Sequence, residues 1–90
     1  MRVALAQINT TIGDLEGNVD KMIAMSRQAA ERQADVVVFP ELAVVGYPPR
    51  DLLEKPVFYE RAAEAERRLA EQTATLNLTI IYGTVGMASG

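Results

Sequence analysis

The side chain in this sequence with the clearest opportunity for chemistry is the carboxylate of Glu41. It lies in the stretch Phe39-Pro40-Glu41-Leu42-Ala43-Val44-Val45-Gly46-Tyr47-Pro48-Pro49-Arg50-Asp51-Leu52-Leu53, directly after the apolar run Val36, Val37, Val38 and Phe39. Four consecutive apolar side chains without polar alternation predict a strand covered on both faces. Pro40 has no N–H to contribute to a ladder and ends that strand. Glu41 is therefore expected at the carboxyl end of an interior strand, where open α/β sheets form their ligand crevices. A carboxylate held there can accept a proton. A Pro-Glu pair by itself carries little, because an acid at a strand end is ordinarily a solvated charge.

What is missing narrows the chemistry. Among 90 residues there is no cysteine and no histidine. A thiol nucleophile, a Ser-His-Asp triad and a His/Cys zinc site are all excluded within this stretch. Net charge is −3, with acids and bases interleaved, so no basic footprint for nucleic acid or an anionic membrane is present. No run approaches the ~18 apolar residues of a membrane span. The N-terminus lacks the apolar core and small-residue cleavage site of a secretory signal, and a cytoplasmic location is expected. Gly83-Thr84-Val85-Gly86 is too short for a dinucleotide fingerprint, and no G-x-x-x-x-G-K-[ST] loop occurs.

The longer motif is more specific than its Pro-Glu core. Gly46-Tyr47-Pro48-Pro49 followed by Asp51-Leu52-Leu53, together with the opening Val3-Ala4-Leu5-Ala6-Gln7-Ile8-Asn9, Gly13-Asp14 and Gly17-Asn18, resembles the glutaminase domain of glutamine-dependent NAD synthetases, within the nitrilase (carbon-nitrogen hydrolase) superfamily. The similarity runs from Arg2 to about Gly86. It implies that Glu41 is the general base of a Glu-Lys-Cys triad whose lysine and cysteine lie beyond this stretch, so that neither Lys21 nor Lys55 takes the lysine's role. Tyr47 is either a packing aromatic or, as the resemblance suggests, a wall of the substrate pocket. Pro48 and Pro49 stiffen its loop. Asp51 has the ordinary fates of a loop acid, capping the turn or pairing with Arg50.

The resemblance further implies glutamine as the substrate here, and ATP, magnesium and deamido-NAD at a separate synthetase domain absent from these residues. No cofactor or metal is assigned to this stretch, and the intact protein is expected to be a homo-oligomer. Two alternatives stand beside this reading: another nitrilase-superfamily amidase, or a non-catalytic α/β assembly module.

The elements that must position Glu41 read as one β-α-β-α-β progression without linker or repeat. Strands are predicted at 2–8, 35–39 and 78–85. Asn18 is the expected N-cap of a first helix running to about Gln33, with Val19, Met22, Ile23, Ser26, Ala29 and Ala30 on its apolar face. Pro56 opens a second helix. Its buried stripe is Phe58, Ala62, Ala65 and Leu69, continued by Leu76, and Glu64 and Arg68 stand at i,i+4 on its solvated face. Alternating strands and helices predict parallel pairing. The fold class is thus α/β, an incomplete portion of the α-β-β-α sandwich that the resemblance implies. That sandwich usually needs roughly 200 to 250 residues, so residues 1–90 are expected to be the first part of one domain, with no second domain.

Overall fold

The structure, a computed structural model, describes residues 1–11, 14–40, 43–44 and 55–83. The elements run β1 (Val3–Leu5), α1 (Leu15–Glu31), β2 (Val36–Val38), α2 (Pro56–Thr73) and β3 (Thr79–Ile81). The strands form a parallel sheet in the order β1-β2-β3, with Ala4, Val37 and Ile80 aligned across it. Two crossovers of the same hand that step the same way across a sheet put both helices on one face. α1 and α2 accordingly pack against each other over the row Ala4, Val37 and Ile80.

The other face is bare among the described residues. Val37 is 1% exposed, whereas Val3, Leu5 and Ile81, pointing the opposite way, are 54%, 78% and 51% exposed. The apolar run at Val36–Phe39 thus reports a sheet suited to two coverings, of which the helices supply one.

Paired strand segments are shorter than the apolar runs suggest. Residues such as Ile8 have no ladder partner among the described residues, although the bonding continues irregularly past the strands: Ala6 N donates to Val38 O at 2.9 Å, and Phe39 N to Ile81 O at 2.9 Å. Residues 84 and 85 of the expected third strand lie outside the described residues.

α1 begins earlier than its expected cap. Asp14, not Asn18, is the N-cap, its Oδ1 accepting from Gly17 N at 3.1 Å. Both residues are good cap formers, but the Asn18 amide is taken up by Thr11 and Val44, and the cap falls to Asp14. A Cβ on Gly17 would lie 2.2 Å from Asp14 Oδ2. Asn18 is instead inside the helix and fully buried. The rest of the apolar face is as expected, with Leu15 added and Ala30 only half-buried. Ser26 is also buried, and its hydroxyl has no hydrogen-bond partner among the described residues.

The C-terminus of α1 closes without glycine. Gln33 N donates to Ala30 O at 2.9 Å and Ala34 N to Ala29 O at 3.0 Å, the paired bonds of a Schellman motif. That motif needs a left-handed residue, and Gln33 fills the position at φ 63°. An L-residue with a Cβ is strained there by about 1 kcal/mol. Gln33→Gly should therefore slow amide exchange at the end of α1 by about fivefold, as read by hydrogen-exchange mass spectrometry. Faster exchange in the variant would contradict the strain.

α2 starts as its sequence suggests, with Pro56 at the first helical position and Lys55 extended before it. Phe58, Ala62, Ala65 and Leu69 are buried, and Thr73 takes the last place of the stripe. Leu76 lies beyond the helix end and is only half-buried. Thr73 tolerates burial because its hydroxyl donates to Leu69 O at 2.7 Å. The charges also pair differently from the i,i+4 expectation. Glu64 pairs with Arg67, one residue closer. Arg68 crosses to α1, where it meets Asp20 Oδ1 at 2.8 Å and Glu16 O at 2.9 Å. Only the Arg68 contacts join the two helices, and such solvent-facing pairs add little stability.

Candidate functional site

Glu41 and Tyr47 lie outside the described residues, as do Arg50 and Asp51. Pro40 before Glu41, and Ala43 and Val44 after it, are described, and both flanks are anchored. Upstream, β2 is the middle strand of a parallel sheet, so the chain leaves it at the carboxyl edge, where such sheets form crevices. Phe39 is buried at that edge, its N–H held by Ile81 O, and Pro40 follows it into solvent. Downstream, Ala43 and Val44 are 1% and 0% exposed. Three residues, Pro40 to Leu42, thus separate the buried Phe39 from the buried Ala43.

The downstream anchor uses a side chain that sequence reasoning assigned elsewhere. Asn18 Nδ2 donates to Val44 O at 2.9 Å and to Thr11 O at 2.9 Å, and Asn18 Oδ1 accepts from Thr11 N at 2.8 Å. One buried amide thus joins the connection after β1 to the connection after β2. The sequence signal was an Asn at a helix start, which is equally the signal of a cap. A contact across 26 positions leaves no local trace.

The two lysines near these connections have structural positions. Lys21 on α1 donates to the carbonyl of Asn9. Lys55 precedes α2 and lines a groove between the starts of the two helices, with Asp14, Leu15, Phe58 and Arg61. At the end of β3, Tyr82 is half-buried, with its hydroxyl 3.0 Å from Glu66 Oε1. Burial, and then the hydrogen bond to Glu66, push its phenol up to about 12, so it stays protonated at any neutral pH and acts as a hydroxyl only. Among the described residues no three His, Cys, Asp or Glu gather to hold a metal ion. No helix among them is long and apolar enough to cross a membrane.

Comparison with known proteins supplies the context for this geometry. The family model for carbon-nitrogen hydrolase matches residues 2–90. The chain is 41% identical over 85 residues to the glutamine-dependent NAD(+) synthetase of Thermotoga maritima, covering 94% of this chain and 15% of that protein. Among solved structures, it matches the crystal structure of a glutamine-dependent NAD(+) synthetase from Cytophaga hutchinsonii with a TM-score of 0.89 and 26% identity, over 100% of this chain and 15% of that one. It also matches the glutamine-dependent NAD+ synthetase of Acinetobacter baumannii in complex with adenosine diphosphate, at a TM-score of 0.76 and 34% identity, over 97% of this chain and 16% of that one. The chain therefore spans about 15% of the length of the relatives it matches. With the family model covering all but its first residue, the chain belongs to the carbon-nitrogen hydrolase family.

Proposed function

We propose that this chain is the opening part of the glutaminase domain of a glutamine-dependent NAD synthetase, and that Glu41 is that domain's general base. The observation that carries the reading is the similarity to glutamine-dependent NAD synthetases along nearly the whole chain. The anchors at Phe39 and Val44 add support, because a base must be held in position to act.

In this reading Glu41 takes the proton from a cysteine thiol supplied by a later part of the domain. The thiolate attacks the amide carbon of glutamine, and a lysine, also from a later part, stabilises the oxyanion. Glu41 passes its proton to the leaving ammonia and then activates water to hydrolyse the thioester, releasing glutamate. Tyr47 lines the glutamine pocket. The ammonia is consumed by an ATP- and magnesium-dependent synthetase domain that amidates deamido-NAD. The protein acts in the cytoplasm as a homo-oligomer.

Isotope transfer tests the reading. Supplied with glutamine labelled at the amide nitrogen, ATP and deamido-NAD, the complete protein should move the label into NAD, detectable by mass spectrometry. Release of labelled ammonia without any ATP-dependent product would favour a free-standing amidase of the same family. No release at all would remove the enzymatic reading.

A further inference from the structure

Asn18 is the one buried side chain among the described residues that ties two connections of the sheet edge together. It is 0% exposed, and its amide makes three bonds, one accepted and two donated. The two partners are not equivalent. Thr11 follows β1, and its N–H and carbonyl both bond Asn18 at 2.8 and 2.9 Å. Val44 follows β2, three positions beyond Glu41, and its carbonyl is held at 2.9 Å. Upstream, Phe39 is fixed by the sheet through Ile81 O. The sheet therefore fixes one flank of Glu41, and the only described polar contact on the other flank comes from Asn18.

We propose that Asn18 is a positioning residue for Glu41, acting by holding the backbone at Val44, three positions downstream of it. The proposal rests on the reading of Glu41 as general base. The amide chemistry is specific. An acceptor is needed for Thr11 N–H and two donors for two carbonyls, and within the length of one methylene only a primary amide supplies both. Aspartate has no N–H, and would set a charge against the carbonyls of Thr11 and Val44. Serine is shorter and has one proton to donate. Because Asn18 sits on α1, whose buried face is packed against the sheet and α2, the position it imposes on Val44 is that of a rigid element. A misplacement of about 1 Å in a catalytic group can cost about a hundredfold in rate.

The test compares four variants of the complete protein: Asn18→Ser, Asn18→Asp, Ile23→Ala and Glu41→Gln. Ile23 is buried on the same helix and forms no side-chain hydrogen bond, so Ile23→Ala reports what loosening α1 alone does. Ammonia release from glutamine and ammonia-driven synthesis are measured for each, with thermal melting as the check on folding. Asn18→Ser should lower kcat for glutamine about a hundredfold while KM for glutamine changes by less than about threefold, with ammonia-driven synthesis within about twofold of the parent. Ile23→Ala should melt at least as early yet keep its glutamine kcat within about threefold.

The proposal is overturned if Asn18→Ser keeps its glutamine kcat, or if Ile23→Ala loses as much. It is overturned equally if neither Asn18→Ser nor Asn18→Asp folds, since the amide then holds the fold and not a loop. Glu41→Gln separates the two ideas. If it retains glutamine hydrolysis, the base assignment fails and the positioning role fails with it. If it loses hydrolysis while Asn18→Ser keeps it, the positioning role alone is wrong.

Discussion

Purified by itself, the ninety-residue chain is expected to release no ammonia from glutamine at any pH, and to self-associate. The first half follows from composition. A carboxylate base needs a nucleophile to deprotonate, and the sequence has no cysteine to form the acyl intermediate. The second half follows from the bare sheet face. Val3, Leu5 and Ile81 are each more than half exposed on the side away from the helices, and β1 and β3 each have a ladder partner on one side only among the described residues. An apolar face beside open strand edges is a template for association. Ammonia release by a coupled assay, together with mass by sedimentation, checks both halves. A stable monomer that unfolds cooperatively would show that residues 1–90 cover their own core. Glutamine hydrolysis by a clean sample would require a nucleophile other than a thiol.

The order of elements, their parallel pairing and most of the two helical stripes can be read from hydrophobic period alone. Val19, Met22, Ile23 and Ala29 recur as one face of α1, and Phe58, Ala62, Ala65 and Leu69 as one face of α2, and all eight are buried. Pro56 announces its helix correctly because a missing N–H costs nothing in a first turn. Apolar periodicity is a property of short stretches, and short stretches are what a sequence displays.

Features that depend on a choice between local competitors are harder to read. Asp14 and Asn18 are both cap residues, and Asn18 is drawn away by Thr11 and Val44, neither of them its neighbour in sequence. Glu64 has an arginine at both i+3 and i+4, so spacing cannot decide between them, and Arg68 is drawn away by Asp20 on the other helix. The left-handed turn at Gln33 is unmarked because the usual glycine is absent. Thr73 replaces Leu76 in the buried stripe because a hydroxyl can satisfy itself on the preceding helical turn.

The candidate site is legible to a different extent. Glu41 is marked by a strand, a proline and a long motif, all contiguous in sequence. Asn18, which sits 23 positions earlier, is marked by nothing that a cap would not also show. Its role emerges only when α1 brings it against Val44.

Glu41→Gln in the complete protein is the second large effect, and it bears on the central claim. The substitution keeps the size of the side chain and most of its hydrogen bonding but removes the basic oxygen. A thiol without its base is a poor nucleophile near neutral pH, and the same carboxylate is needed again to activate water for the thioester. Both half-reactions fail together, so glutamine-driven synthesis should fall by about three orders of magnitude or more, in the range of general-base contributions taken over two steps. Ammonia supplied from solution bypasses both steps. The decisive measurement is NAD formation by Glu41→Gln with glutamine and, in parallel, with ammonium as the nitrogen source. Loss of the glutamine-driven rate with the ammonia-driven rate preserved is the expected result. Equal loss of both, or retention of the glutamine-driven rate, would contradict the assignment of Glu41 as the base.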